Sequence, residues 1–505
     1  MYRILTASKD TYITNKIIDN SFRATDANVG HAATLDLFKL YAESTSGSDS
    51  SPEELTRLLV KFDLSPLKNL TASILDFTHD SFKCVMKLKD VYGGQTTPSN
   101  FKVQIFPLSK SFDEGMGRDV IRYEDLDSCN FITASVNSNR SPELWSHKGA
   151  NSVGLLGSSD IDIISSGALG GAAVTDLWKE YEFSTGEEDL EIDVTTVVSG
   201  ILSNQIPDYG FRISYSGTQE TDQKTRFVKR FGSRHGTNIS TRPEISAYWD
   251  DTIRDHHESF FFDLTGSLFL NNSARGKLRN IVSGAGGSSI FGDDCIALKL
   301  TSGSFSKIIT GSQHSIGSNH MTGVYSATFA VSSYESLLRE EIVTAASATF
   351  KEVWGSLDGT IGYHTGTIII NTPTRTNYSR QTNRLFVNIT NLRTEYSRSQ
   401  KVRFRVFVED IGRKVVSTKT PIETPSEVFE HMYYRVRDAE TNRIIVPFET
   451  TSNGTCLSTD SSGMFFDFFM DSLPPGRTYV FDFIIKDRGI DDLFTKVAST
   501  FRVVS

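Results

Sequence analysis

KVRFRVFVED, residues 401–410, sets charged against apolar side chains with a period of two over its first six positions. That is the signature of a strand with one face in a core and the other in water. The same pattern recurs along the chain. KCVMKL (83–88), NFKVQIF (100–106) and RTYVFDFII (477–485) alternate or are rich in β-branched and aromatic residues, and Gly, Ser, Asn and Pro fill the gaps. Helix patterns are scarce: VTTVVSGIL (194–202) and SYESLLREEIV (333–343) are the best, and both are short. No repeat of the solenoid or propeller kind is present. Many short strands with few helices predict an all-β fold of tandem β-sandwiches.

The chain has 505 residues, 38% of them hydrophobic, enough for roughly three domains with packed cores. With 52 basic and 61 acidic residues the net charge is −9. That balance argues against nucleic acid as a partner, which demands a basic face. No apolar run reaches the ~18–20 residues of a membrane span. MYRILTASKDTYIT (1–14) alternates and has no apolar core, so no signal peptide is expected. Cys84, Cys129, Cys295 and Cys456 lie far apart. They are expected to be small buried hydrophobes in a reducing cytosol rather than zinc ligands or a disulfide framework.

Composition shifts divide the chain into three blocks, 1–250, 251–380 and 381–505. Block one closes at RPEISAYWDD (242–251) and carries two loop-like insertions, 43–54 and the Gly/Ser-rich 149–172. In LLVKFDL (58–64), Leu58, Val60, Phe62 and Leu64 alternate with Leu59, Lys61 and Asp63, which predicts a half-buried strand. Arg57 beside it is expected to be solvated, the alternative being a buried charge held by a carboxylate.

Several motifs of block one, in order, resemble a DNRLRE-type domain. They are TASKDTYIT (6–14) with its Asp-Thr-Tyr triplet, DANVGHAATLDL (26–37) with an Asn-x-Gly turn, and TRLLVKFDLSPL (56–67). SFDEGMGRD (111–119) follows with a Glu-Gly-x-Gly loop, then EIDVTTVVSGILSNQIPDYGFRISY (191–215) and RFGSRHGTNISTRPEISAYW (230–249). His235 departs from the pattern, standing where an acidic residue is frequent. The resemblance covers about half the chain. It implies a jelly-roll-like β-sandwich related to carbohydrate-binding modules, non-catalytic, and similar to virion structural proteins of large tailed bacteriophages.

Block three reads as a fibronectin- or immunoglobulin-like sandwich of about six strands. LPPGRTYVFDFII (473–485) resembles the fibronectin type III ending, in which Pro475-Gly476 makes a turn and Tyr479 forms a tyrosine corner. DAETNR (438–443) is a hairpin-turn signal. Block two is β-rich, with an immunoglobulin-like fold as one reading. Its Phe260, Phe261 and Phe262 are expected to pack in a core or against a neighbouring domain or subunit, with an exposed interaction patch as the alternative.

Catalytic motifs of the serine-hydrolase, zinc-protease and P-loop kinds are absent from the sequence, and a non-enzymatic role is expected. GAGGSSIFG (284–292) lacks a dinucleotide-binding context and reads as a loop. His256-His257, flanked by Asp255 and Glu258, reads as a solvated junction, since four consecutive residues cannot converge on one ion. The stretch Asp113, Glu114, Asp119, Glu124, Asp125, Asp127 is the best ion candidate. Asp113, Glu114 and Asp119 are the expected ligands of a structural calcium, the alternative being a solvated acidic loop. No other cofactor is expected. Tyr92, Trp145 and Trp178 are candidates for a sugar-stacking platform, with Trp249, Trp354 and Tyr181 as further aromatics and core packing as the competing role.

The expected function is that of a structural subunit of a tailed-phage virion, in the tail or baseplate periphery, assembled in the host cytosol. It would contact other virion subunits, in multiple copies. The alternatives are a host-surface glycan-binding module and a cell-wall glycan hydrolase.

Overall fold

The computed structural model describes the chain except residues 45–50, 73, 122–126, 285–286, 374–383, 413–425 and 488. The junction expected near residue 380 therefore lies outside the described residues. The fold is all-β, as the alternation predicts, and the chain divides into two compact units. One comprises Arg3–Asn69 and Phe82–Ala247. The other comprises Met1–Tyr2, Leu70–Ser81 and Tyr248–Ser505.

In the first unit the strands follow one another in space as Lys179–Phe183, Phe101–Pro107, Phe211–Tyr215, Glu53–Phe62, Tyr2–Thr14, Glu244–Tyr248, Lys83–Leu88 and Leu190–Asp193. Thr34–Tyr41 branches from Glu53–Phe62 and pairs with Arg226–Gly232. Neighbours far apart in sequence require the long crossovers of Greek-key and jelly-roll sandwiches. Glu53–Phe62 is central, pairing with three other strands. Here the structure corrects the half-buried expectation: Leu58, Leu59 and Val60 are all buried. The reason is the chain between residues 108 and 178, which covers the outward face. Leu59 packs there with Ile13, Phe106, Phe131, Trp145 and Ile163 in a second small core. The Gly/Ser-rich insertion 149–172 is no plain loop. It holds the strands Val153–Leu155 and Ile163–Leu169, which pair with each other, and Ala172–Val174 beside them. Glycines hid its period from the sequence.

In the second unit, residues of block two form one seven-stranded sheet. Its order is Phe260–Phe261, Gly362–Asn371, Ser347–Gly355, Ile296–Ser302, Phe305–Ile316, Asn319–Phe329, Gly266–Asn271. The two end strands are joined by the short connection 262–265, so the sheet curls around its core. Phe260 and Phe262 lie in that core, with Phe260 stacked on Phe329 at 4.8 Å. Core packing therefore holds for these two, and the interaction patch is corrected: their side chains fill the interior of this sheet. Phe261 points to the other side and is half-buried.

Block three folds as two sheets. One is Leu385–Ile389, Lys401–Asp410, Gly463–Phe469 and Ser458–Asp460; the other is Glu395–Ser397, Ile490–Val504, Thr478–Asp487, Met432–Asp438 and Ile444–Val446. Aromatic rings fill the space between them, with Tyr434 on Phe466 at 4.3 Å and Phe404 against Phe481 at 5.0 Å. As the alternation of residues 401–410 requires, Phe404, Val406 and Val408 are buried, while Arg403 and Arg405 pair with Asp467 and Asp460. The Tyr479 hydroxyl donates to the Pro474 carbonyl at 2.6 Å, a tyrosine corner. DAETNR is a hairpin turn in which the Asp438 carboxylate accepts from the Glu440 and Thr441 amides.

Residues 70–81 belong with this unit because Asp76 accepts from the Ser318 amide and hydroxyl at 2.7 and 2.9 Å. Nothing in the local sequence signals this docking. Of the cysteines, Cys84, Cys129 and Cys456 are buried and Cys295 is partly exposed; all are free.

Candidate functional site

Four of the motifs that carry the family resemblance, those at 6–14, 26–37, 111–119 and 230–249, meet in the first unit. Asn28, fully buried, is the hub. Its amide donates to the Glu114 and Cys129 carbonyls at 2.9 and 2.8 Å, and its oxygen accepts from the Gly30 and Gly117 amides. All four hydrogen-bonding positions of the side chain are satisfied. The Asn-x-Gly turn and the Glu-Gly-x-Gly loop thus lie backbone against backbone. A Cβ on Gly30 would stand 1.9 Å from the Glu114 carbonyl oxygen, and one on Gly117 would stand 2.0 Å from that of Asn28.

Glu114, half-buried, turns inward onto this clamp. Arg234 grips it edge-on, Nε to Oε1 at 2.6 Å and Nη2 to Oε2 at 2.8 Å, while the Asp10 amide donates to Oε1 at 2.9 Å. These donors outweigh burial and hold the Glu114 carboxyl below its ordinary range. His235 Nε2 lies 3.3 Å from Oε1, and the rings of His31 and His235 are 4.2 Å apart. Asp10 completes the group. One of its oxygens accepts from the Arg234 amide at 2.6 Å; the other is buried without a hydrogen-bond partner. Burial, reinforced by the Glu114 charge, pushes the Asp10 carboxyl up to about 7.

A second arrangement anchors the 108–178 covering. Arg57 is buried, so the alternative reading of this residue holds and solvation does not. Its Nε and Nη2 meet the two oxygens of Glu220 at 3.0 and 2.7 Å, and its Nη1 donates to the Gly149 carbonyl at 2.7 Å. Arg212 beside it donates to the Ala150 carbonyl and stacks on Phe106. Burial, with Arg57 nearby, lowers Arg212 to about 9.

The third lies in the second unit. His257, expected to be solvated, is held between two buried carboxylates: Nδ1 to Asp255 at 2.6 Å and Nε2 to Glu352 at 2.9 Å. Glu352 also accepts from Trp354 Nε1. Although burial opposes the charge, the two carboxylates push His257 up to about 10, an imidazolium at neutral pH.

The expected calcium ligands face different partners. Asp113 accepts from the Val136 amide and Asp119 from the Ile121 amide in a local turn, while Glu114 is engaged as above. Glu124 and Asp125 lie outside the described residues, and Asp127 is exposed. The sugar platform is not assembled. Trp145 is buried with its Nε1 on the Asn130 carbonyl, Trp178 is stacked on Phe106 at 5.4 Å, and Tyr92 alone stands exposed. Trp249 and Trp354 are buried, and the Tyr181 hydroxyl donates to the Asp189 carbonyl. Sequence reasoning missed His31 and Asn28. The available signal was the placing of a histidine directly after the Asn-x-Gly turn, matched by the unusual histidine at 235.

Among the described residues no helix is long and apolar enough to cross a membrane, which leaves β-barrels unaddressed. No family model matches the chain, and no curated protein matches it. Among solved structures, a Corynebacterium diphtheriae protein described as membrane anchored aligns at 10% identity and a TM-score of 0.15, over 100% of this chain and 97% of that one. A mutant of the CFA/I enterotoxigenic E. coli adhesin CfaE aligns at 10% identity and a TM-score of 0.11, over 51% of this chain and 89% of that one. Both likenesses are too distant to establish a fold or a function.

Proposed function

We propose that this chain is a non-enzymatic structural subunit of a tailed-bacteriophage particle, in the tail or baseplate periphery, working through protein–protein contacts in multiple copies. The observation that carries the reading is the use made of the family motifs. Asn28, Gly30, Glu114, Gly117 and Arg234 bind one another and hold loops to the sandwich. What the resemblance hands on is thus a scaffold. Its surfaces suit assembly: the outward face of the curled sheet lines up exposed Ile308 and Lys299, then Val353 and Thr365, in neighbouring strands. The covering of the first unit exposes Leu144, Val153 and Leu155. Apolar residues dispersed among polar ones give weak contacts that repetition strengthens.

Immunogold labelling of purified virions tests this. Labelling at the tail or baseplate is the expected result, and absence of the protein from virions would end the reading. A glycan array run on the same protein checks the glycan-binding alternative, for which only Tyr92 of the three platform residues is exposed.

A further inference from the structure

We propose that His31, Glu114 and His235 form a binding site for one divalent transition ion of the zinc class, which ties the three motif loops of the first unit together. Nitrogen atoms of the two imidazoles and a Glu114 oxygen all lie within 4.8 Å of one another. His235 Nε2 and Glu114 Oε1 are 3.3 Å apart. Two ligands bound at about 2.0–2.1 Å with tetrahedral angles are separated by about 3.3 Å, so the spacing of this pair suits one edge of a zinc polyhedron, with the ion replacing one of the N–H donors that Oε1 now accepts, Arg234 Nε or the Asp10 amide. A donor set of two imidazoles and one carboxylate suits zinc and its neighbours, whereas calcium and magnesium call for oxygen throughout.

Each ligand sits on backbone held in place independently of any ion. His31 follows Gly30, whose amide is bound by Asn28, and its own amide donates to the Gly117 carbonyl. Glu114 lies in the loop clamped by the same asparagine. His235 follows Arg234, whose amide is fixed by Asp10. Arg234 fixes the Glu114 carboxylate through both of its oxygens, an orienting role that outer partners play around metal-bound carboxylates. Its positive charge would oppose a cation, and it is offset by the Glu114 carboxylate with which it forms an ion pair. Here the departure at position 235 acquires a meaning, since a histidine in place of an acidic residue supplies the second imidazole nitrogen.

The test uses the full chain, purified without a histidine tag and stripped with chelator. Zinc chloride titrated by calorimetry is expected to bind at about one ion per chain and to raise the melting temperature. Affinity should fall at least tenfold in His31→Ala and in His235→Ala, whose zinc-free circular dichroism should match the parent. Should His235→Ala fail to fold, His31→Gln, in a part-exposed turn, decides the matter alone. No saturable zinc binding at micromolar concentration would overturn the proposal and leave a plain His235–Glu114–Arg234 hydrogen-bonded cluster. Zinc affinity unchanged in the folded variants would overturn it too, because other histidines would then be the ligands. Stabilisation by calcium in place of zinc would likewise overturn it, pointing instead to oxygen ligands around Asp113 and Asp119.

Discussion

At Arg57 a charge is taken wholly out of water and repaid by geometry. The guanidinium meets both oxygens of Glu220 and one carbonyl of the covering insertion, and Gly149 is the residue that can present that carbonyl. Gly149 has a φ of +78°, and a Cβ there would stand 2.4 Å from Arg57 Nη1. Removing one partner of such a pair strands the other, whereas removing both can be nearly neutral. Arg57→Met is therefore expected to cost roughly 3–5 kcal/mol in urea unfolding. Arg57→Met combined with Glu220→Leu should recover most of it. A double variant as weak as the single one would show that the Gly149 tether, and not the ion pair, dominates.

At the scale of elements, His257 joins the connection around residue 255 to the strand Ser347–Gly355 through Asp255 and Glu352. The folded chain holds this proton far more tightly than an unfolded histidine, raising its titration from 6.5 to about 10. The stabilisation is therefore complete below the unfolded value and is lost as pH rises through about 10. In thermal melts between neutral pH and pH 10, the parent should lose stability relative to His257→Gln, and the gap between them should close. A gap independent of pH would mean that the imidazole acts through packing alone. The same connection is also bonded to block three, since the Ile253 and Asp255 amides donate to Ser458 and Thr459. The solvated junction expected at His256-His257 does not fit these bonds.

For the whole molecule, the division into units cuts across sequence order. Leu70–Ser81 lies inside block one by sequence yet belongs to the unit of Tyr248–Ser505, where Asp76 and Leu75 bind Ser318 and Asn319. An isolated fragment 1–247 is thus expected to keep its central strand Glu53–Phe62 while residues 70–81 lose their partner. Hydrogen exchange reads this directly. Amides at Leu75 and Thr78 should exchange at least about tenfold faster in the fragment than in the full chain, with the strand unchanged. Equal protection in both would show that the segment is held within the fragment itself.

The sequence by itself determined the all-β class, the strands at 83–88 and 401–410, the short helix after Asp193 and the turn chemistry around Asp438 and Tyr479. Each of these is written in neighbouring residues: alternation sets a strand's faces, and a Pro-Gly or Asx turn acts over a few bonds. Tertiary structure alone decided which polar residues meet. Arg57 finds Glu220 across 163 positions, and His31, Glu114 and His235 come from three separate loops. Burial of Leu59, Trp145 and Phe260 was settled in the same way, by a covering insertion and a curling sheet. A side chain's partner depends on how crossovers stack strands, and that long-range packing leaves no period in the local sequence for a reader to find.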